Sequence, residues 1–183
     1  CGDTMRRVAI IGSPGSGKST LARTLRDLTG LPLHYLDMLW HLPDGSHVTR
    51  AAFDAAHAEL VSQERWIIDG TYLRTLPERI ARADLVVLLD LPLETCLEGI
   101  RARIGTARED LPWQETELDP EFVSYVERFP DERLPRIREI LDARPQGCRL
   151  VELRSREEAE RATAPGGRLW QLVTSAAESA PRS

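Results

Sequence analysis

A chain of 183 residues and 20.6 kDa has room for one domain with a full core. Its 42% apolar and 29% charged content is ordinary for a globular protein, and no apolar run approaches the roughly 20 residues a membrane helix needs. The net charge of −5 argues against a protein that tracks nucleic-acid phosphates, but leaves room for one locally positive nucleotide site.

Residues 1–4, CGDT, read as an appended or ragged end outside the fold. The apolar run Arg7–Ile11 predicts a strand, and Ser19–Thr29 a helix stopped by Gly30 and Pro32. Leu33–Leu36 predicts a second strand. Thr49 is the expected N-cap of a helix over Arg50–Ser62, with Phe53, Ala56 and Leu60 on one face. Arg65–Ile68 predicts a third strand ending at Asp69-Gly70. Asp84–Leu89 is continuous and apolar in its last five residues, as in a sheet covered on both faces. Pro92 opens a helix to about Arg103. The periodicity then lapses through GTAREDLPWQETEL and returns as helices over Glu121–Phe129 and Leu134–Ala143. Cys148–Leu153 is the last strand and Ser155–Ala162 a helix broken by the PGG at 165–167. The tail from Ala176 is expected to be disordered. Strands alternating with helices in this way predict a parallel, doubly wound sheet.

Cys1, Cys96 and Cys148 have no paired spacing, which suggests a reducing, cytoplasmic setting, and Cys96 and Cys148 read as small buried hydrophobes. His34, His41, His47 and His57 lack the regular spacing and thiolate or carboxylate help that a zinc site needs.

Of the 24 basic residues a single one is lysine, Lys18, and it lies in GSPGSGKST at 12–20. The pattern Gly12-x-x-x-x-Gly17-Lys18-Ser19 follows a strand and opens a helix, as a P-loop does. Its glycines let successive N–H groups turn inward onto phosphate, and the helix N-terminus adds partial positive charge. A slim ammonium fits inside such a loop where a broad guanidinium would not. Gly12, Ser13, Gly15, Ser16, Gly17, Lys18, Ser19 and Thr20 are thus the expected nucleotide-binding residues, Lys18 on the β- and γ-phosphates and Ser19 on Mg²⁺. The guanine-reading NKxD motif needs a second lysine, which excludes it here.

The chain resembles the adenylate kinase-like P-loop kinases, most closely the bacterial topology modulation (FlaR-like) proteins. The resemblance is carried by GSPGSGKSTLA at 12–22, LPLHYLDMLW at 31–40, RWIIDGTY at 65–72, ADLVVLLDLP at 83–92 and ERFPDERLPRI at 127–137, and more loosely by VELRS at 151–155. It implies an α/β, three-layer P-loop NTPase fold with a five-stranded parallel sheet and a short helical lid at about 101–118. The kinase-like domain would span 6–162, followed by a partly disordered extension at 163–183. It also implies residue roles. Asp69 is the expected acid beside Mg²⁺, with Asp90 competing for that place. Asp37 would address the phosphate acceptor, Trp40 would wall its pocket, and Tyr72 and Arg79 (Arg79 in preference to Arg74) would hold it. Arg103 and Arg108 resemble lid arginines; Arg101 and Arg103 are two apart and cannot share a helix face. Arg154 lies where the adenine would stack. The implied activity is phosphoryl transfer from ATP, with Mg²⁺, to a small nucleotide or hydroxyl acceptor, by a monomer or homodimer with no membrane or nucleic-acid partner. The lid, GTAREDLPW, is short and acidic, and supports the alternative of a nucleotide-binding regulator with little turnover.

Overall fold

The computed structural model describes residues 5–175. Its sheet is built from β1 (Arg7–Gly12), β2 (Leu33–Tyr35), β3 (Trp66–Asp69), β4 (Leu85–Leu89) and β5 (Arg149–Leu153), in the order β2-β3-β1-β4-β5 with every pairing parallel. Around it lie α1 (Lys18–Thr29), α2 (Leu36–Trp40), α3 (Arg50–Ser62), α4 (Leu76–Arg82), α5 (Leu93–Ala102), α6 (Pro120–Glu132), α7 (Leu134–Asp142), α8 (Arg156–Thr163) and α9 (Arg168–Thr174). This is the three-layer α/β architecture expected from the alternation.

Alternate side chains of each strand enter different cores, because the strand period is two. Val8 and Ile10, with Val87 and Leu89, pack against Leu21 and Leu25 of α1, Leu97 and Ile100 of α5, and Leu169 and Val173 of α9. Ala9 and Ile11, with Val86 and Leu88, pack against Phe53 and Leu60 of α3, Ile80 of α4 and Ile137 and Leu141 of α7. Helices on both faces explain why β1 and β4 read as unbroken apolar runs. Cys96 and Cys148 lie buried within these cores.

Three elements depart from the sequence expectation. β2 stops at Tyr35 and the chain enters α2 at Leu36, which lifts Asp37 off the sheet plane. α4 follows Thr75, with Pro77 in its first turn, in a segment whose charges hide a short apolar face of Leu76 and Ile80. α9 restarts after the PGG break and buries Leu169 and Val173. Of the expected lid, only Arg101 and Ala102 are helical, as the end of α5; the rest runs as an irregular segment to α6. The expected disorder from Ala176 lies outside the described residues.

A buried polar knot joins α3 to α4. His57 and Arg79 are both fully buried. The Arg79 guanidinium donates to His57 Nε2 at 3.1 Å, while His57 Nδ1 faces the Glu78 carboxylate at 3.3 Å. The neutral imidazole suits both contacts, because a proton on Nε2 would point at a guanidinium. Burial, and then the Arg79 charge, hold the imidazole below its usual value of 6.5. A folded pKa below the unfolded one means that the unfolded chain takes up the proton first as pH falls. The stability tied to neutral His57 is therefore complete above that value and is lost below it. His57→Gln keeps an acceptor for Arg79 and removes the titration. In urea unfolding, the advantage of the natural protein over the variant should shrink from about pH 7.5 to about pH 5.5. A gap that stays constant over that range would contradict a buried, neutral His57.

Candidate active site

β1 ends in the loop Gly12–Gly17 at the C-terminal edge of the sheet. Gly15 and Gly17 have φ of +79° and +92°, the left-handed region where glycine alone is unstrained. Gly15 is also pressed against α5: a Cβ there would lie 2.1 Å from the Cys96 carbonyl oxygen, and one on Gly99 would lie 2.2 Å from the Gly15 carbonyl oxygen. Loop and helix thus touch through a glycine on each side. Inside the loop, the Ser13 carbonyl accepts from Ser16 N (3.2 Å), Ser16 Oγ (2.6 Å) and Lys18 Nζ (3.0 Å). Ser13 and Ser16 accordingly shape the loop, whereas Gly12, Gly15, Gly17, Lys18, Ser19 and Thr20 line the cavity over it. Thr71, from the segment after β3, ties the strand end by accepting from Gly12 N at 3.2 Å and donating to Gly12 O at 2.7 Å. Gly17, the N-cap of α1, offers no side-chain cap to the first-turn amides of that helix.

Beside the loop, Ser19 Oγ lies 2.8 Å from Asp69 Oδ2 and 2.9 Å from Asp110 Oδ2. Burial pushes the Asp69 carboxyl up to about 6, opposed by Lys18 and the Ser19 hydroxyl, and burial likewise lowers the Lys18 ammonium, opposed by Asp69. The competing acid, Asp90, is turned away: its carboxylate pairs with Arg138 at 2.7 Å. Ser19 and Asp69 offer hard oxygen donors of the kind Mg²⁺ takes, and the donor chemistry fits that ion.

In the same cavity, Tyr72 Oη donates to Asp37 Oδ1 at 2.6 Å. Tyr72 holds φ of +37°, a strained value for a non-glycine residue that costs of order 1–3 kcal/mol. Its ring is stacked on Phe53 at 5.0 Å, and burial, with Asp37 adjacent, raises its hydroxyl well above the usual phenol range, so it stays a donor. Trp40 lines the same space, stacked on His47 at 4.3 Å and edge-on to Phe53 at 5.7 Å.

Arg79 and Arg154 lie elsewhere than expected. Arg79, expected on the acceptor, is absent from the cavity lining. Its guanidinium donates to Thr75 Oγ1 at 2.9 Å and to the carbonyls of Gly70 (3.0 Å) and Thr71, bracing the segment that carries Tyr72. Arg74 does line the cavity, but is held by Asp54 at 2.7 and 2.6 Å. Arg154, expected near the adenine, points into solvent beside Glu152, and Arg156 lines the cavity instead.

The lid segment lies over the loop. Arg103 lines the cavity, while Arg101 points outward to Glu94, as their spacing requires. Arg108 reaches Asp110 at 3.0 and 2.7 Å and Glu115 at 2.7 Å. Glu109 accepts from Tyr35 Oη at 2.8 Å and from Arg26 at 3.3 Å, and Trp113 packs edge-on against His41 at 4.5 Å. Asp110, Glu115 and Gly99 carry no motif of their own, and Thr71 lies in RWIIDGTY with no role signalled there; the fold brings all four to the site.

The resulting cavity encloses about 1230 Å³. A single drug-sized ligand takes roughly 300–1,000 Å³, so there is space for a nucleotide and a second molecule. Arg50, Arg103 and Arg133 line it without an ion-pair partner among the described residues; Arg133 lies over the Tyr125 ring at 5.3 Å. The close approach at Gly15 makes its own prediction. Gly99→Ala should cost about 1–3 kcal/mol of stability, as overpacking does, and weaken nucleotide binding. Unchanged thermal unfolding together with unchanged binding would contradict the contact.

No protein-family profile matches the chain, and no curated protein does. Solved structures do. Shikimate kinase from Bacteroides thetaiotaomicron aligns with a TM-score of 0.60 at 19% identity, over 92% of this chain and 99% of that one. Shikimate kinase from Acinetobacter baumannii, in complex with shikimate, gives 0.57 at 18%, over 94% and 95%. A sugar kinase from Janibacter gives 0.53 at 19%, over 94% and 98%. At these identities the likeness is one of fold: this chain has the P-loop architecture that small-molecule kinases use, over nearly its whole length.

Proposed function

On this fold, we propose that the protein transfers the γ-phosphoryl group of ATP, with Mg²⁺, to a hydroxyl of a small acceptor. The observation that supports this reading best is the meeting, in one cavity, of two sets of groups. Lys18, Ser19 and Asp69 gather beside the loop, and Asp37, held by Tyr72, lines the same cavity. The subtype resembling topology modulation proteins remains part of the same reading.

The loop amides and the uncapped start of α1 would hold the β-phosphate, with Lys18 reaching the γ-phosphate. Ser19 and Asp69 would hold Mg²⁺, which supplies charge neutralisation on the phosphate oxygens. Asp37 accepts the hydrogen bond of the acceptor hydroxyl and takes its proton as the oxygen bonds to phosphorus and the bond to the β-phosphate oxygen breaks. One Asp37 oxygen is occupied by Tyr72, which leaves the other for this work. Arg103 carries a charge that burial and the neighbouring Arg108 disfavour, so an incoming phosphoryl oxygen offers it compensation. Arg50 and Arg133, unpaired at the cavity wall, favour an acceptor that bears an anionic group as well as its hydroxyl.

One observation favours the alternative, a nucleotide-binding regulator: Arg108 is already neutralised by two carboxylates of its own segment. Turnover separates the two readings. With ATP, Mg²⁺ and a panel of nucleoside monophosphates, hydroxy acids and sugars, the natural protein should transfer phosphate to one acceptor class. Lys18→Ala should lower the rate by at least about 10², a loss of roughly 2.7 kcal/mol of transition-state stabilisation. Full activity in that variant would refute the assignment, and nucleotide binding with no transfer to any acceptor would move it to the regulator. Tyr72→Phe frees Asp37 and should reduce kcat more than it changes KM for the acceptor.

A further inference from the structure

Resting on the proposed nucleotide site, we infer that Asp110 is an intramolecular competitor for that site: it occupies Arg108 and Ser19 until a nucleotide displaces it. Arg108 and Ser19 are the side chains that would otherwise meet a phosphoryl oxygen and a phosphate-bound metal. Asp110 makes both contacts at once, through a two-point guanidinium pair at 3.0 and 2.7 Å and a contact to Ser19 Oγ at 2.9 Å. The side chains of Arg108 and Asp110 are only 13% and 9% exposed, so the pair is largely dry and little screened. A carboxylate on a guanidinium and a serine hydroxyl presents the same charged oxygens that a phosphate would.

The neighbouring contacts close the segment as a unit. Glu109 is tied to Tyr35 and Arg26, Trp113 lies on His41, and Glu115 takes the remaining side of Arg108. These anchors sit on α1, at the end of β2 and just after α2. The weak point is Ser19. Its hydroxyl has one proton and faces two carboxylates, Asp69 at 2.8 Å and Asp110 at 2.9 Å. It donates to only one of them, and the two acids repel across it. A triphosphate entering the loop adds further negative charge beside Asp110 and offers Arg108 a better partner. The lid therefore opens at Ser19 first, and Arg108 changes hands from Asp110 to the phosphate.

Displacement predicts that removing the competitor strengthens binding, whereas a role for Asp110 in holding the metal predicts the opposite. The test is calorimetric binding of a non-hydrolysable ATP analogue with Mg²⁺ to the full chain, in the natural protein, Asp110→Asn and Lys18→Ala. Asp110→Asn should bind about tenfold more tightly, the worth of one charge-assisted hydrogen bond. Asp110→Ala should move the same way. In the absence of nucleotide, Asp110→Asn should also shift the Trp113 emission to the red as the lid loosens, with a Trp113→Phe background subtracted. Equal or weaker binding by both Asp110 variants would overturn the inference. Binding by Lys18→Ala as tight as that of the natural protein would instead refute the nucleotide site on which it stands.

Discussion

β1 is paired on both edges and buried on both faces, so its last residue cannot shift without disturbing β3, β4 and two cores. The loop that leaves it inherits that fixed position. Thr71 holds the strand end from one side and α5, through Gly99, presses the loop from another. Preorganisation of this kind is what a phosphate site requires, because amides that must be gathered on binding would spend the binding energy on ordering themselves. The parallel register then sets the rest. Asp69 stands level with Ile10 and Tyr35, and Asp37 follows two residues after Tyr35. Asp69 and Asp37 are thereby brought to one edge of one sheet, where α/β folds place their ligands.

The charges at that edge are arranged in mutual dependence. Lys18 and Asp69 each lose hydration and each offset the other's loss. Arg103 is disfavoured by burial and by Arg108, while Arg108 is compensated by Asp110 and Glu115. Without a ligand the site is thus balanced internally by the acidic lid. On the proposed reading, a triphosphate with its metal would bring its own balance and leave the lid acids surplus.

The fold and the loop were legible because each rests on a local, repeating signal: apolar runs for buried strands, and a glycine pattern with a lysine in a chain otherwise devoid of it. Asp69 was legible as an acid at a strand end, but its preference over Asp90 became a matter of geometry only when Arg138 claimed Asp90. Arg79 is the contrasting case. From the sequence an arginine past a DG-x-Y segment is as fit to grip a ligand as to brace a backbone, and the fold spends it on the carbonyls of Gly70 and Thr71. Gly99, Thr71 and Asp110 were invisible for a related reason. Their contacts come from long-range approach, which the local segments, even RWIIDGTY and GTAREDLPW, do not specify. The strand expected to run through Leu36 ends one residue earlier, because a three-residue edge strand is too short to show its end against the helix that follows.

The most direct test of the central claim is ³¹P NMR of ATP and Mg²⁺ turned over by the natural protein with hydroxy-acid and nucleotide acceptors present. A phosphate-ester resonance should grow in step with the loss of the γ-phosphate signal, with little inorganic phosphate. Growth of inorganic phosphate alone, or an unchanged ATP spectrum in a protein that binds nucleotide, would contradict a kinase built on this site.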